Sequence, residues 1–141
     1  MGRKQSRETA FKMIFAMGFG NDPAEIELAC EETIDAKELE FITKLTEETK
    51  NNLERIDEII STTAKGFSFD RIYKVDLAAL RLGVAEIMFV AETPDVVAVN
   101  EAVTLAKKYG NEKSGAYVNG ILASVINLSS RPSEASGETP K

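Results

Sequence analysis

A basic turn followed by a tyrosine is the part of this sequence whose chemistry best suits a ligand. Lys113 and Ser114 stand at the predicted start of a helix, and Tyr117 follows one helical turn later. An exposed aromatic ring can stack on a nucleobase while a neighbouring lysine neutralises the phosphate. On periodicity alone a core position for Tyr117 is the better interpretation, so the sequence leaves both roles open.

A second cluster of cations lies at the N-terminus, in what we call the arm (residues 2–7). Arg3, Lys4 and Arg7 fall just before and within the first turn of the first predicted helix. An anion bound there would be stabilised by side-chain charge, by free backbone N–H groups and by the helix dipole. The alternative interpretation is an ordinary solvated chain terminus.

The residues needed for common catalytic chemistry are missing. The sequence contains no histidine, which removes the usual general base and the commonest metal ligand. Cys30 is the single cysteine and lies in an apolar helical pattern, as expected for a small buried thiol. The glycines form no phosphate-binding loop. Carboxylate or lysine chemistry stays formally open on these residues alone. We nevertheless expect no catalytic residue, no metal, no cofactor and no enzyme.

Charge is unevenly distributed along a chain whose net charge is −6. Residues 1–20 carry four basic side chains and one acidic one, whereas residues 21–60 carry four basic and thirteen acidic ones. This asymmetry suggests a nucleic-acid site at one end, with the acids of residues 21–60 forming a solvated face. There is no apolar run long enough for a membrane and no signal-peptide pattern, so we expect a cytoplasmic protein.

Helical periodicity runs through the whole sequence, which predicts an all-α fold of six or seven helices. Ser6 is the expected N-cap of the first helix, which should end near Gly18. Asn21-Asp22-Pro23 predicts the start of a second helix over Ile26–Ile34. A third begins near Asp35, and the pattern weakens around Asn51-Asn52 before resuming up to Ala64. These two pieces fit either two helices or one kinked helix.

The second half of the sequence is predicted to contain the central helix. Asp76 is its expected cap, and its apolar residues cover nearly the whole circumference. Val97–Tyr109 should form the next helix, and Ser114 should cap the last one, ending near Leu128. We predict a single domain over residues 1–128, with sub-bundles of about 1–65 and 66–128, and a disordered tail over 129–141.

Three further polar or small residues have structural interpretations. Asn100 and Asn119 lie among apolar residues and are expected to be partly buried polar pins between helices. Gly120 weakens a helix, which a close approach of another helix would explain. Arg81 on the central helix is explained either by an intrachain salt bridge or by a protein-binding face with its neighbours Arg71, Tyr73 and Asp76.

Four stretches of the sequence resemble the NusB family of bacterial transcription antitermination factors: SRETAFKMIF, VDLAALRLGVAEI, VAVNEAVTLAKKYG and SGAYVNGIL. The resemblance covers about Arg3 to Ile126. It implies an all-α fold of two helical sub-bundles without catalytic activity. It also implies binding to the boxA element of ribosomal RNA leader transcripts, together with ribosomal protein S10 (NusE), in an RNA polymerase antitermination complex.

The resemblance also assigns roles to individual positions of this sequence. The family's basic arm falls on Arg3, Lys4 and Arg7, where Gln5 and Ser6 interrupt the run of cations. Its base-contacting aromatic falls on Tyr117, with Ser114 and Lys113 beside it. Lys113 replaces an acid that the family can carry there, which should favour RNA. The S10-facing positions fall on Phe15 and Asp76, with Arg81 as a weaker candidate.

Two other function classes remain open at this stage. A protein-only helical scaffold would bind S10 without specific RNA binding. NusB-like domains also occur fused to RNA methyltransferases, but that activity would require a separate cofactor-binding domain. The sequence does not determine the oligomeric state, and a homodimer that covered the arm would block RNA binding.

Overall fold

The computed structural model describes residues 2–20, 35–64 and 68–127, and the backbone alone of residues 128–130. Within these ranges there are helices and no strands, so the all-α prediction is confirmed. In the described residues, six α-helices and one 3₁₀ turn follow each other: α1 Arg3–Met17, α2 Ala36–Asn51, α3 Leu53–Thr63, the 3₁₀ turn Phe69–Arg71, α4 Lys74–Phe89, α5 Asp95–Tyr109 and α6 Ser114–Ser130.

Several sequence predictions fall on other residues. The helix start at Asn21-Asp22-Pro23, the helix over Ile26–Ile34, the buried Cys30 and the tail from residue 131 all lie outside the described ranges. α6 itself continues to Ser130, two residues past its predicted end. The division into two sub-bundles stays a prediction.

Helix α4 is the centre of the molecule, as its apolar circumference predicted. Its residues 76–86 are all buried, and it packs against each of the other five α-helices. The predicted cap is wrong, however. α4 begins at Lys74 after Tyr73, and Asp76 lies inside the first turn. No described side chain makes a cap hydrogen bond at the start of α4, and the Asp76 carboxyl is buried.

The two serines predicted as helix caps do not cap their helices, whereas Asp35, near which the third helix was expected to begin, caps α2. The Asp35 carboxylate accepts a hydrogen bond from the Glu38 N–H at 2.9 Å, which starts α2. α1 instead begins at Arg3, and Ser6 is fully buried in its second turn. Ser114 is also fully buried, and its hydroxyl accepts a hydrogen bond from the Asn111 N–H at 3.0 Å. Both serines bond to neighbouring segments because burial brings other partners closer.

Asn52 separates α2 from α3. Its side-chain amide donates to the Glu48 carbonyl at 2.9 Å, so the last turn of α2 is closed by a side chain and the chain begins a second helix. The choice between one kinked helix and two helices is thereby decided in favour of two. Among the described helices, none is both long and apolar enough to cross a membrane.

The predicted helix contact at Gly120 is wrong, and so is the burial of the two asparagines. Asn100 and Asn119 are exposed, and a Cβ built on Gly120 would meet nothing within 4 Å. The close approach occurs at Gly83 on α4, where a Cβ would lie 2.7 Å from Leu122 Cδ1 of α6. Since α4 is buried on every side, its one glycine is the place where a neighbouring helix can come closest.

Candidate nucleic-acid interface

Arg7 of the arm forms a buried ion pair with α4. Its Nη2 donates to Glu86 Oε2 at 2.7 Å and its Nε to Glu86 Oε1 at 2.9 Å, and the Glu86 side chain is only 1% exposed. The Thr93 hydroxyl donates to the same carboxylate at 2.9 Å. A fully hydrogen-bonded buried pair of this kind fixes α1 against α4. The Arg7 guanidinium therefore points into the protein interior.

Arg3 pairs with the start of α2. Its Nε and Nη2 donate to the two carboxylate oxygens of Glu38 at 3.0 and 3.2 Å, and its guanidinium carbon lies 3.9 Å from the centre of the Phe41 ring. The Ser6 hydroxyl donates to Glu38 at 2.8 Å. The hydrogen bonds from Arg3, followed by the one from Ser6, lower the pKa of Glu38. Glu38 is thus a structural ion-pair partner, which corrects its assignment to a solvated acidic face.

Lys4 is the most open cation of the arm. Its ammonium lies 3.3 Å from Glu101 Oε1 of α5, and its side chain is 67% exposed. Glu101 Oε1 also lies 3.9 Å from Arg7 Nη1. The three arm cations therefore face three carboxylates that lie 35, 79 and 97 residues away in the sequence. No local sequence signal identifies Glu38, Glu86 and Glu101 as these partners.

A further polar joint fastens α1 to the end of α5. Lys108 Nζ lies 2.8 Å from Glu8 Oε2, and the Tyr109 hydroxyl donates to the same oxygen. The Tyr109 ring stacks on Phe11 with centres 5.4 Å apart. Burial raises the pKa of Glu8, but the hydrogen bonds from Lys108 and Tyr109 outweigh it and the net pKa is lowered. This joint sets where the turn after α5 lies relative to α1.

That turn opens onto a cavity of about 210 Å³ between the starts of α4 and α6. Tyr117 forms part of its wall and is half-buried, with its ring packed against the core. Burial, and then the nearby Asp76 carboxylate, raise the pKa of Tyr117. One part of the Tyr117 side chain therefore packs in the core, and another part faces the cavity, where a ligand can reach it. The cavity is lined by Arg71, Tyr73, Asp76, Asn111, Lys113 and Tyr117.

Lys113 is exposed at the rim of this cavity. Its backbone N–H donates to Asn111 Oδ1 at 2.9 Å, which fixes the turn, and no ion pair holds its ammonium among the described residues. The Ser114 hydroxyl is turned inward and donates to Asn111 Oδ1 at 3.3 Å. Lys113 and Tyr117 thus lie together as the sequence predicts, whereas Ser114 is buried beneath them. Their contact with RNA stays a prediction.

Asp76 lies in the same cavity, although the resemblance assigns it to a different partner. Its carboxyl is buried, and its Oδ1 has no hydrogen-bond partner within the described part of the chain. Burial raises its pKa, and a hydrogen bond from Ser114 offsets part of that effect. Arg71 and Tyr73, which the sequence marks only as neighbours of Asp76, are additional lining residues.

The other two positions assigned to S10 have different surroundings. Phe15 packs edge-to-face on Phe19 with ring centres 5.1 Å apart, and Phe19 is 58% exposed. Phe15 also lines an apolar cavity of about 150 Å³ with Phe11, Lys12, Val75 and Tyr109. Arg81 is buried and donates to both Asp57 oxygens at 2.9 and 2.8 Å. The intrachain salt bridge is therefore present, and a partner role for Arg81 stays a prediction.

Comparison with known proteins identifies relatives of this chain. The model of the NusB family matches residues 4–127. This chain belongs to the NusB family. A curated relative, transcription antitermination protein NusB of Finegoldia magna, is 41% identical over 89% of this chain and 94% of its own length.

Solved NusB structures share the fold. T. maritima NusB superposes with a TM-score of 0.84 at 35% identity, covering 90% of this chain and 92% of that one. A chain from the crystal structure of the antitermination factors NusB and NusE in complex with dsRNA superposes with a TM-score of 0.80 at 34% identity, covering 89% and 96%. The family resemblance and the expected NusB-like architecture are thereby confirmed.

Proposed function

We propose that this NusB-family protein acts in transcription antitermination by binding boxA-type single-stranded RNA together with ribosomal protein S10 (NusE). It would do so in the cytoplasm, as part of an RNA polymerase antitermination complex and without catalysis. Support comes from the relatives named transcription antitermination protein and from the similarity to a NusB that forms a complex with NusE and RNA. The observation that carries the proposal is that Lys113, which has no ion pair within the described ranges, lies beside the half-buried Tyr117 at one cavity.

In this proposal the two basic regions do different work. Tyr117 stacks on a base at the cavity, and Lys113 with Arg71 neutralises the adjoining phosphates. Arg3 and Lys4 contact further phosphates of the same RNA along α1. Phosphate contacts set the affinity and position of the RNA, whereas stacking and base edges read its sequence.

Arg7 and Ser114 do not contact the RNA in this proposal but position the residues that do. Arg7 is committed to Glu86, so it holds the arm against α4. Ser114 is committed to Asn111 and Asp76, so it holds the turn that presents Lys113. We propose them as positioning residues of the RNA surface.

The S10-binding surface in this proposal is the apolar face beside α1. Phe15 and the exposed Phe19 offer aromatic area of the kind that anchors protein interfaces. Asp76 adds an acceptor at the boundary with the RNA cavity. Arg81 supports this face through Asp57 by fixing α3 against α4.

The direct test is a gel shift with boxA RNA and a scrambled RNA of the same composition, with and without S10. The proposal expects discrimination between the two RNAs, and equal binding even with S10 present would contradict it. If Arg3, Lys4, Arg71 and Lys113 neutralise about four phosphates, log K should fall with log salt at a slope of about −3. Sedimentation in the same buffer would show whether a homodimer covers the arm.

One observation favours the second candidate, a protein-only scaffold. All three arm cations are already paired with carboxylates, so the arm offers less free charge than its sequence suggests. Binding of S10 with no added affinity for boxA RNA would support this alternative.

A further inference from the structure

The three ion pairs of the arm differ in how firmly they are held. Glu86 receives Arg7 at two points and Thr93 at a third, and Glu38 receives Arg3 at two points and Ser6 at a third. The third pair differs because Lys4 lies 3.3 and 3.4 Å from the two Glu101 oxygens and is mostly exposed. Exposed pairs of this kind stabilise a fold very little.

Glu101 places a carboxylate between two cations of the arm. One of its oxygens lies 3.3 Å from Lys4 Nζ and 3.9 Å from Arg7 Nη1, so a single anion sits between two cations. A carboxylate and an RNA phosphate both present negatively charged oxygens to such donors. The two anions therefore compete for Lys4.

We propose that Glu101 is an internal anion that occupies Lys4 in the free protein and yields it to an RNA phosphate, so that Glu101 limits how strongly the arm binds RNA. This inference rests on the proposed RNA-binding function. When Lys4 turns to a phosphate, the Glu101 carboxylate stays beside it and repels the RNA. In water, two like charges about 4 Å apart lower an association constant by about fivefold.

The same competition weakens the salt dependence of binding. Each single-strand phosphate neutralised by a lysine contributes about 0.7 to the slope of log K against log salt, because counterions leave the RNA. A Glu101 carboxylate deprived of Lys4 takes up a cation and cancels part of that release. Removing the charge of Glu101 should thus steepen the slope by up to about 0.7.

The test compares Glu101→Gln with the wild type and with Glu58→Gln, an equal charge change at an exposed position on α3. Fluorescence anisotropy with labelled boxA and scrambled RNA is recorded from about 50 to 200 mM salt. We expect Glu101→Gln to bind both RNAs about fivefold tighter at low salt and with a steeper slope. An affinity and slope equal to those of Glu58→Gln would overturn the proposal.

A double-mutant cycle with Lys4→Gln separates competition for Lys4 from general charge. If Glu101 acts on Lys4, the gain from Glu101→Gln should shrink in the Lys4→Gln background. A full gain in that background would contradict the proposal. Thermal unfolding checks the fold, which the Arg7–Glu86 pair should keep intact. Should Glu101→Gln unfold, Glu101→Ala provides a second variant, which also removes the carboxylate and should bind RNA more tightly than the wild type does.

Scrambled RNA keeps this test separate from the proposed function. Phosphate contacts carry no sequence information, so the gain on scrambled RNA tests the role of Glu101 by itself. Loss of discrimination between boxA and scrambled RNA, with the Glu101→Gln gain intact, would contradict the antitermination proposal and leave the internal anion standing. Discrimination between boxA and scrambled RNA without the Glu101→Gln gain would contradict the internal anion and leave the antitermination proposal standing.

Discussion

The arm and the turn before α6 are the two basic regions of this protein, and they differ in how much of their charge is free. The arm carries three cations, each facing a carboxylate from another helix. The turn carries Lys113, which has no ion pair among the described residues, beside a half-exposed tyrosine and a cavity. The region with more cations is thus the better neutralised one. Local charge therefore predicts a binding surface poorly when a folded chain brings distant anions to it.

The largest effect should come from the buried pair that anchors the arm. Glu86→Gln leaves the Arg7 guanidinium buried without an anion, which should lower the free energy of unfolding by about 3–5 kcal/mol. Urea unfolding measures this loss. Glu58→Gln on the surface of α3 is the matched control and should change stability by less than about 0.5 kcal/mol. Equal effects of the two variants would mean that the arm is not anchored by this pair.

The next effect concerns the turn. Tyr117→Ala should weaken boxA RNA binding by roughly 1–3 kcal/mol if the ring stacks on a base. Tyr117→Phe keeps the ring and should retain most of the binding, because stacking does not need the hydroxyl. Anisotropy measured well below the unfolding temperature separates binding from the loss of core packing. Unchanged affinity in Tyr117→Ala would assign the ring to the core alone.

The RNA affinities of Lys113→Gln and Lys4→Gln compare the turn directly with the arm. Each removes one positive charge, but Lys4 must first leave Glu101, whereas none of the described carboxylates pairs with Lys113. Lys113→Gln should therefore cost more RNA affinity and should reduce the salt slope by about 0.7, with a smaller change for Lys4→Gln. The reverse order would show that the arm is the principal phosphate site.

The pH dependence of stability should distinguish the two regions by sign. Glu38, the partner of Arg3 in the arm, has a lowered pKa, so its contribution to stability is present above its unfolded pKa of about 4.3 and is lost as pH falls through the folded value. Glu38→Gln should flatten this acid-side loss and cost about 0.5–1.5 kcal/mol at neutral pH. Asp76 has a raised pKa, so its titration stabilises the folded protein as pH falls. Asp76→Asn should therefore steepen the acid-side loss, and unfolding at a series of pH values measures both variants.

The smallest effect is expected at Gly120, one turn past Tyr117. Its Cβ position is open, so Gly120→Ala should stabilise the protein by about 0.5–1 kcal/mol. Gly83→Ala is the contrasting control, because its Cβ would lie 2.7 Å from Leu122 and should destabilise the core by about 1–3 kcal/mol. Thermal unfolding compares them. Loss of RNA binding in the folded Gly120→Ala variant would show that RNA approaches this face of α6.

Sequence reasoning succeeded where many residues contribute to one pattern and failed where a single polar side chain chooses a partner. The buried α4 follows from apolar residues around its whole circumference, and Gly110 follows α5 as predicted. Ser6 and Ser114 are wrong as caps, because the Ser6 hydroxyl donates to Glu38 of α2 and the Ser114 hydroxyl bonds back to Asn111 in the preceding turn. A single hydroxyl makes one or two hydrogen bonds, so one tertiary neighbour can redirect it.

The sequence by itself determined the fold class, the NusB family and the placing of cations at the arm and the turn, because these depend on periodicity and local motifs. Only the tertiary structure decided which cations are free. Glu38, Glu86 and Glu101 reach the arm from 35, 79 and 97 residues away. Likewise, it placed Asp76 in the cavity of Lys113 and Tyr117. The reason is physical, since electrostatic attraction depends on distance in space and on burial, neither of which is set by separation along the chain.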